Sequence, residues 1–403
     1  MPAHAPGAAS QDGYRAATLA ALAAMFAGIG LARFAYTPLL PALVAAHWFS
    51  AEQAAYLGAA NLAGYLAGAL AGQRIAELSS TRAAGRALMA ATAASFFCCA
   101  SPVSFAWFFA WRFVSGFTGG ALMVIAAPRA LRLVPARRRG LASGLIFTGV
   151  GLGTVVSGTL TPLLLSLGLA ETWLAYGALT AFATIAAWRA WPADAPAPVA
   201  PTQDVTFRMR WPRPAVAVVT AYGLVAAGLV PHMVFLVDYV ARGLGAGIAA
   251  GAAYWVLFGL GAVVGPTLAG AAADRTGFAP ALLAALTLQL AAITAILMSS
   301  HPPALAFSSI VIGAFMPGNV PLVLGRTQEI FSDPRARHVA WGTSVIVFAV
   351  GQAASGYVMS AAFARTGGNY GVLFGLGAAA FAAALAIAAI GDAGCARTQS
   401  SRP

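Results

Sequence analysis

Two arginines in this chain have no obvious partner in the sequence around them. Arg33 lies in the run GIGLARFAYTPLLP and Arg112 in WRFVSGFTGGALMV, both well inside long apolar stretches. The chain has no lysine, and almost all of its other arginines, out of 23 cationic residues, fall at the ends of such stretches or between them. A guanidinium at the centre of a hydrocarbon layer costs about 2.5–3.5 kcal/mol even on the gentle insertion scale. Something must compensate it: a bound anion, backbone carbonyls, or a carboxylate from elsewhere in the chain. The N-terminal half supplies no buried carboxylate, because Glu52 and Glu77 fall near stretch ends. Counted at about 1.5 Å per residue, the two arginines fall at comparable depth, in the central-to-outer part of a membrane. They predict either an anion or carboxylate site, with Tyr36 and Thr37 on the Arg33 face, or a structural lock. The lock weighs slightly more for Arg112.

The C-terminal half adds His232, Asp238, Gln289, Asn319 and Gln352 as polar residues at membrane depth. Pro317, Gly318, Asn319 and Pro321 are expected to interrupt a helix. Such interruptions expose backbone where they line a cavity, which makes Asn319 a candidate substrate hydrogen-bonder; the alternative is a kink that only hinges. Asp238 precedes Arg242 by one helical turn, so a local ion pair near the outer surface is the favoured reading. His232 titrates in the range useful for proton coupling, and equally suits a satisfied packing role. Glu329 stands within reach of Arg326 as a gate or loop ion pair.

The elements that position these residues follow from composition. Hydrophobic residues make up 60% of the 403 and charged residues 8%, far below the roughly one quarter charged of a soluble domain. The apolar residues fall in twelve blocks of bilayer-spanning length: 16–46, 52–72, 86–101, 104–128, 140–167, 172–191, 214–240, 246–273, 279–298, 303–325, 339–362 and 370–391. They lack the alternation of barrel strands, so helix is the spanning form. The formal net charge of +12 would suggest nucleic acid in a soluble protein. Here the positive-inside rule accounts for it. With the N-terminus cytoplasmic, the inner loops and ends carry nearly all the arginines, and the outer loops only Arg242 and Arg365. Both termini are therefore expected inside. Residues 1–15 lack a basic n-region and a convincing cleavage site, so the first helix is expected to be retained. Cys98, Cys99 and Cys395 offer neither a disulfide framework nor metal-ligand spacing.

A proline-rich polar stretch at 192–213 reads as a cytoplasmic linker between two six-helix halves, 1–191 and 214–403. An offset of 198 aligns Gly30-Leu31 with Gly228-Leu229, Gly72 with Gly270 and Gly120 with Gly318. It also aligns Arg137 and Arg139 with Arg335 and Arg337, Gly144 with Gly342, Gly153 with Gly351, and Ser157-Gly158 with Ser355-Gly356. Six helices per half preserve orientation, so the repeats are parallel.

Residues 265–277, GPTLAGAAADRTG, hold Gly270, Asp274, Arg275 and Gly277. They resemble the second-half copy of the loop signature G-x-x-x-D-R-x-G of the major facilitator transporters, a gate motif in which glycine permits close helix approach and the aspartate accepts from neighbouring arginines and helix N-termini. The first-half copy keeps Gly68, Gly72, Arg82 and Arg86 but lacks the aspartate. Arg112, Gly116 and Gly120 are similar to the superfamily's fourth-helix arginine–glycine pattern. Gly144, Gly149, Gly151, Gly153 and Gly158 resemble a loose form of its glycine-rich fifth helix, without the usual Gly-Pro. The first-helix run around Arg33, Tyr36, Pro38 and Pro41, and the segment PHMVFLVDYVARGLG at 231–245, resemble the YbfB/YjiJ-like branch.

The fold expected is thus an all-α membrane protein, with twelve transmembrane helices in two pseudo-symmetric six-helix bundles. The resemblance implies a secondary transporter of a small solute working by alternating access in the inner membrane, expected as a monomer. The chain shows no metal-binding, nucleophile-elbow or phosphate-loop motif, so no enzyme, cofactor or nucleic-acid role is expected. A gradient, most plausibly of protons, would drive transport. The preferred substrate is a small organic anion held by Arg33, Tyr36, Thr37, Arg112 and Asn319, with His232 and Asp238 in coupling. Efflux of neutral or hydrophobic compounds is the first alternative, and a non-transporting sensor with the same fold the second.

Overall fold

The computed structural model describes residues 11–135, 138–192 and 211–400, and among these it is helical with no strand. The first rod, α1, is broken: Gln11–Met25 continues through a wide π-helical stretch, Phe26–Leu31, and resumes as Tyr36–Ala45. There follow α2 (Ala51–Leu78), α3 (Thr81–Cys98), α4 (Phe105–Leu133), α5 (Arg139–Leu165) and α6 (Leu169–Ala187). The second half opens with another broken rod, α7. Its pieces are Arg213–Val230, the π-helical Pro231–Phe235, Leu236–Asp238 and a second π-helical stretch, Tyr239–Gly243. Then come α8 (Gly247–Thr276), α9 (Phe278–Met298), α10 (Pro302–Ile330), α11 (Pro334–Arg365) and α12 (Tyr370–Ser400). Ten of these segments are long and apolar enough to cross a membrane by length and composition. The expected linker falls mostly outside the described residues, as does Arg137. Arg213 of that stretch already begins α7.

One expectation is corrected. The tenth helix is not interrupted at Pro317–Pro321, because α10 runs unbroken from Pro302 to Ile330 with both prolines inside it. The irregular backbone lies instead in α1 and α7. In α7 it begins at Pro231, which has no N–H to donate into the preceding turn and widens it. The backbone of α1 widens around Gly28 and Gly30, which is where that rod meets its neighbours most closely.

Serine and aspartate caps set several helix starts. Ser50 accepts from the Gln53 N–H at 3.2 Å while the Gln53 side chain accepts from the Ser50 N–H at 3.0 Å, a reciprocal capping box opening α2. Ser80, Ser104 and Asp333 cap α3, α4 and α11 more simply, their side chains accepting first-turn N–H groups without a reciprocal bond. Gly277 at φ +85° makes the sharp turn from α8 into α9, a conformation that L side chains resist.

Packing within each half depends on glycine. A Cβ placed on Gly64 or Gly68 of α2 would overlap the Phe113 or Phe117 carbonyl of α4, and one on Gly116 would overlap the Asn61 carbonyl. In the second half the same three contacts recur 197 residues on. Gly261 faces the Ile310 carbonyl, Gly265 faces Ala314, and Gly313 faces Phe258. The α2–α4 and α8–α10 crossings are therefore built alike. The pair Gly153 and Gly351 behaves similarly, each lying against a glycine backbone, Gly30 in α1 and Gly223 in α7.

These contacts generate a test. Gly116→Ala and Gly313→Ala should each lower the thermal midpoint in detergent, by an overpacking cost of about 1–3 kcal/mol. Gly144→Ala, where a Cβ would meet nothing within 4 Å, should leave the midpoint unchanged. Equal midpoints for all three would refute the backbone contacts.

Candidate functional site

The two halves meet along α2–α11, α5–α8, and the outer part of α1 against α7 and α8. Gly356 of α11 would touch Leu62 and Ala59 of α2, and the Tyr56 and Tyr357 rings stand 6.4 Å apart. Gly158 and Gly151 of α5 pack on Val256 and Val263 of α8. Toward the arginine-rich end, Gly144, Gly270 and Gly342 have open space where a Cβ would stand. That end is also the one at which Arg138 donates to the Tyr14 hydroxyl (2.6 Å), Arg82 donates to the Trp191 carbonyl (3.3 Å) and Arg326 pairs with Asp392 (2.5 Å). The contacts named between the halves lie away from the arginine-rich end.

Arg33 sits between the halves. Its guanidinium donates across the halves to Gln352 Oε1 of α11 at 2.6 Å. The Arg33 side chain also lies over the Tyr65 ring, 5.0 Å from its centroid. Arg33 is half-buried, its Nε has no partner among the described residues, and no carboxylate pairs with it there. It holds a net positive charge where the two halves meet, with donor capacity to spare.

Arg112 is placed differently. It is 2% exposed, donates to the Ala32 carbonyl at 2.9 Å, and lies 4.4 Å from the Tyr36 ring centroid. Ser115 donates to the same carbonyl at 3.0 Å, and Asn61 donates to the Arg112 carbonyl at 3.3 Å. The Ala32 carbonyl precedes the resumption of α1 at Tyr36, where the regular i+4 donor pattern is broken. Arg112 thus ties α4 to the break in α1 inside the N-terminal half. Tyr36 faces Arg112 and donates to the Ala54 carbonyl at 2.6 Å, while Thr37 donates across the halves to the Met233 carbonyl at 2.5 Å. The structure therefore separates Arg33 from the Tyr36 side chain.

Asn319 and Gln289 exchange two side-chain hydrogen bonds, 3.0 and 3.2 Å, entirely within the C-terminal half. His232 Nε2 meets Ser308 Oγ at 2.7 Å and its ring abuts Phe374. Asp238, fully buried, forms an ion pair with Arg242 and accepts from the Tyr370 hydroxyl at 2.6 Å. Arg242 and Tyr370 also line a surface depression of about 500 Å³, with Ser50, Glu52 and Phe363. Of the gate motif, Asp274 and Arg275 are exposed and bond to nothing among the described residues. Glu329 is engaged nearby, with Arg326 at 3.0 Å and the Phe278 N–H at 3.2 Å.

Several interface residues were not singled out from sequence. Trp255 of α8 donates to Ser157 Oγ of α5 at 3.1 Å and stacks on Phe258, centroids 4.6 Å apart. Phe34 of α1 inserts edge-on against Trp255 at 5.8 Å. Gln352 had been noted for its depth alone, and Tyr65 carried no signal. Their roles depend on contacts between distant parts of the chain, 98 residues apart for Ser157–Trp255 and 319 for Arg33–Gln352.

No protein of curated function matches the sequence. Solved structures that the fold resembles include a D-xylose–proton symporter, 17% identical, with 92% of this chain and 96% of that one covered and a TM-score of 0.68. The nucleoside transporter NupG is 15% identical, with 94% and 99% covered and a TM-score of 0.71. A bacterial homologue of the human lysosomal transporter Spinster, solved inward-facing and unoccupied, is 16% identical, with 93% and 94% covered and a TM-score of 0.63. At these identities the likeness concerns the fold. The profile of a family described as "Uncharacterised MFS-type transporter YbfB" matches residues 25–389, nearly the whole chain, and the protein belongs to that family of membrane transporters.

Proposed function

We propose that this chain is a proton-coupled secondary transporter of small organic anions, and that Arg33 is the residue that holds them. All twelve rods are taken to span the membrane, as two six-helix bundles, 1–191 and 214–403, joined by the linker at 192–213 with both termini cytoplasmic. The arginine-rich end is taken as open and then faces the cytoplasm. The observation that carries the reading is the half-buried, carboxylate-free guanidinium of Arg33 at the point where the bundles meet. An anion arriving from the open end satisfies that charge and bridges to Gln352 on the other bundle. Arg112 and Asn319 act as locks inside their own bundles, since their partners are backbone and amide groups there.

Alternating access requires the closed end to open. Three hydrogen bonds cross there or near it: Arg33–Gln352, Thr37–Met233 and Ser157–Trp255. The two neutral ones contribute about 0.5–1.5 kcal/mol net each, and the one from the charged Arg33 about 1.5–3 kcal/mol. Breaking such a set costs little enough for a ligand or proton to shift the balance. Asp238 is the fully buried carboxylate of the described residues. Protonation there would weaken its hold on Arg242 and Tyr370, beside the depression that opens to the outside. His232 is kept as a second coupling candidate because its Nδ1 is unpartnered.

In reconstituted vesicles, Arg33→Gln should abolish pH-gradient-driven organic-anion flux while leaving the thermal midpoint near that of the parent. Arg112→Gln should instead lower the midpoint by about 1–3 kcal/mol equivalent, because buried partners are left unsatisfied. The assignment of the two arginines fails if these outcomes are reversed.

Asp238→Asn should retain anion exchange between loaded vesicles but lose accumulation against a gradient. Accumulation at the parental level would remove Asp238 from coupling.

A further inference from the structure

The surroundings of Arg33 carry information about the shape of its ligand as well as its charge. On the N-terminal side the guanidinium lies over the Tyr65 ring. On the opposite side Gln352, its hydrogen-bond partner, stands one helical turn beyond Phe348 on α11, so both project from the same face. Phe348 is tilted against Tyr222 of α7, with centroids 4.5 Å apart and planes 33° apart. Tyr65 and Phe348 are each partly exposed. Tyr65 and Tyr222 lie within electrostatic reach of each other across the two bundles. Arg33 therefore has an aromatic ring against it on its own half, and another stands one turn from its hydrogen-bond partner on the other half.

Two further details narrow the chemistry. The hydroxyls of Tyr65 and Tyr222 make no hydrogen bond among the described residues and are not fully enclosed. Their donor capacity is unused there. The charge count is equally specific. Arg33 has no carboxylate partner among the described residues and matches one negative charge, while the neighbouring Arg112 is buried against the Ala32 carbonyl and the Tyr36 ring.

Resting on the reading of Arg33 as an anion site, we infer that the substrate is an aromatic monocarboxylate with a polar ring substituent. Its carboxylate takes the free donors of Arg33 and the amide of Gln352. Its ring lies between Tyr65 and the Phe348–Tyr222 pair, in the offset or edge-on geometry that aromatic rings prefer. A hydroxyl on the ring reaches the Tyr65 or Tyr222 phenol. The ligand then touches both bundles at once, through charge on one end and ring contact along its length.

Counterflow in vesicles of the full chain tests this with four probes: 4-hydroxybenzoate, benzoate, cyclohexanecarboxylate and phthalate. Flux efficiency should fall in that order, with the saturated acid about tenfold below benzoate and the dianion not moved. Tyr65→Leu should erase the preference for benzoate over cyclohexanecarboxylate, while Tyr65→Phe should keep that preference and lose the advantage of the ring hydroxyl. The inference is overturned if cyclohexanecarboxylate moves as well as benzoate, in which case the anion-transport reading still stands. Movement of none of the four, alongside Arg33-dependent flux of short aliphatic acids, overturns the aromatic class alone. No Arg33-dependent flux of any carboxylate overturns both. A Tyr65→Leu protein that does not elute as a single species is replaced by Phe348→Leu, for which the same loss of preference is expected.

Discussion

Contact of backbone with backbone across glycine is the constraint on which the rest of this molecule depends. In a bilayer no hydrophobic force draws helices together, because lipid tails are as apolar as leucine, and association must come from close packing and polar contacts. The α2–α4 and α8–α10 crossings meet that requirement with Gly64, Gly68 and Gly116, and with Gly261, Gly265 and Gly313. The α5–α8 contact between the halves uses glycine as well, at Gly151, Gly158 and Gly259, and adds hydrogen bonds and rings.

Charge is distributed to suit the same division. Inside the N-terminal bundle, Arg112 is compensated by the Ala32 carbonyl and the Tyr36 ring, so it stays put whatever the neighbouring bundle does. Between the halves, the partners of Arg33 among the described residues are the neutral amide of Gln352 and aromatic faces. A cation so weakly met is a place where an anion gains more than it would against a full ion pair. At the arginine-rich end, Arg326, Glu329, Asp392 and the start of α9 are bound together, while the side chains of Asp274 and Arg275 have no partner among the described residues.

What sequence could reveal depended on range. The Asp238–Arg242 pair is one turn apart and follows from helical spacing, and the structure forms it. Pairing of Glu329 with Arg326 was legible for the same reason. The likeness of the two halves showed first in glycine positions, yet the tightest matches follow an offset of 197 and not 198, because the glycine-to-carbonyl contacts had to be seen to choose between them. The break predicted in α10 from its prolines was misplaced, since neighbouring helices hold that rod straight enough to remain helical. Arg33 and Gln352 are 319 residues apart, and no local pattern joins them. The same holds for Ser157 with Trp255, where a buried indole meets a hydroxyl on the other bundle.

The π-helical stretches at Phe26–Leu31 and Pro231–Phe235 have a consequence for how such a body could change shape. A π turn holds one residue more than an α turn, so it stores a small surplus of chain inside an otherwise regular rod. Passing that surplus along by one position rotates the outer part of the rod while the inner part stays in register. In α1 the residues just beyond the surplus include Arg33, Phe34 and Thr37, which meet the other half; in α7 the surplus itself contains Met233, whose carbonyl Thr37 meets. The contact of α1 with α7 is thus made where both rods can swivel about their own axes, without a helix being unwound.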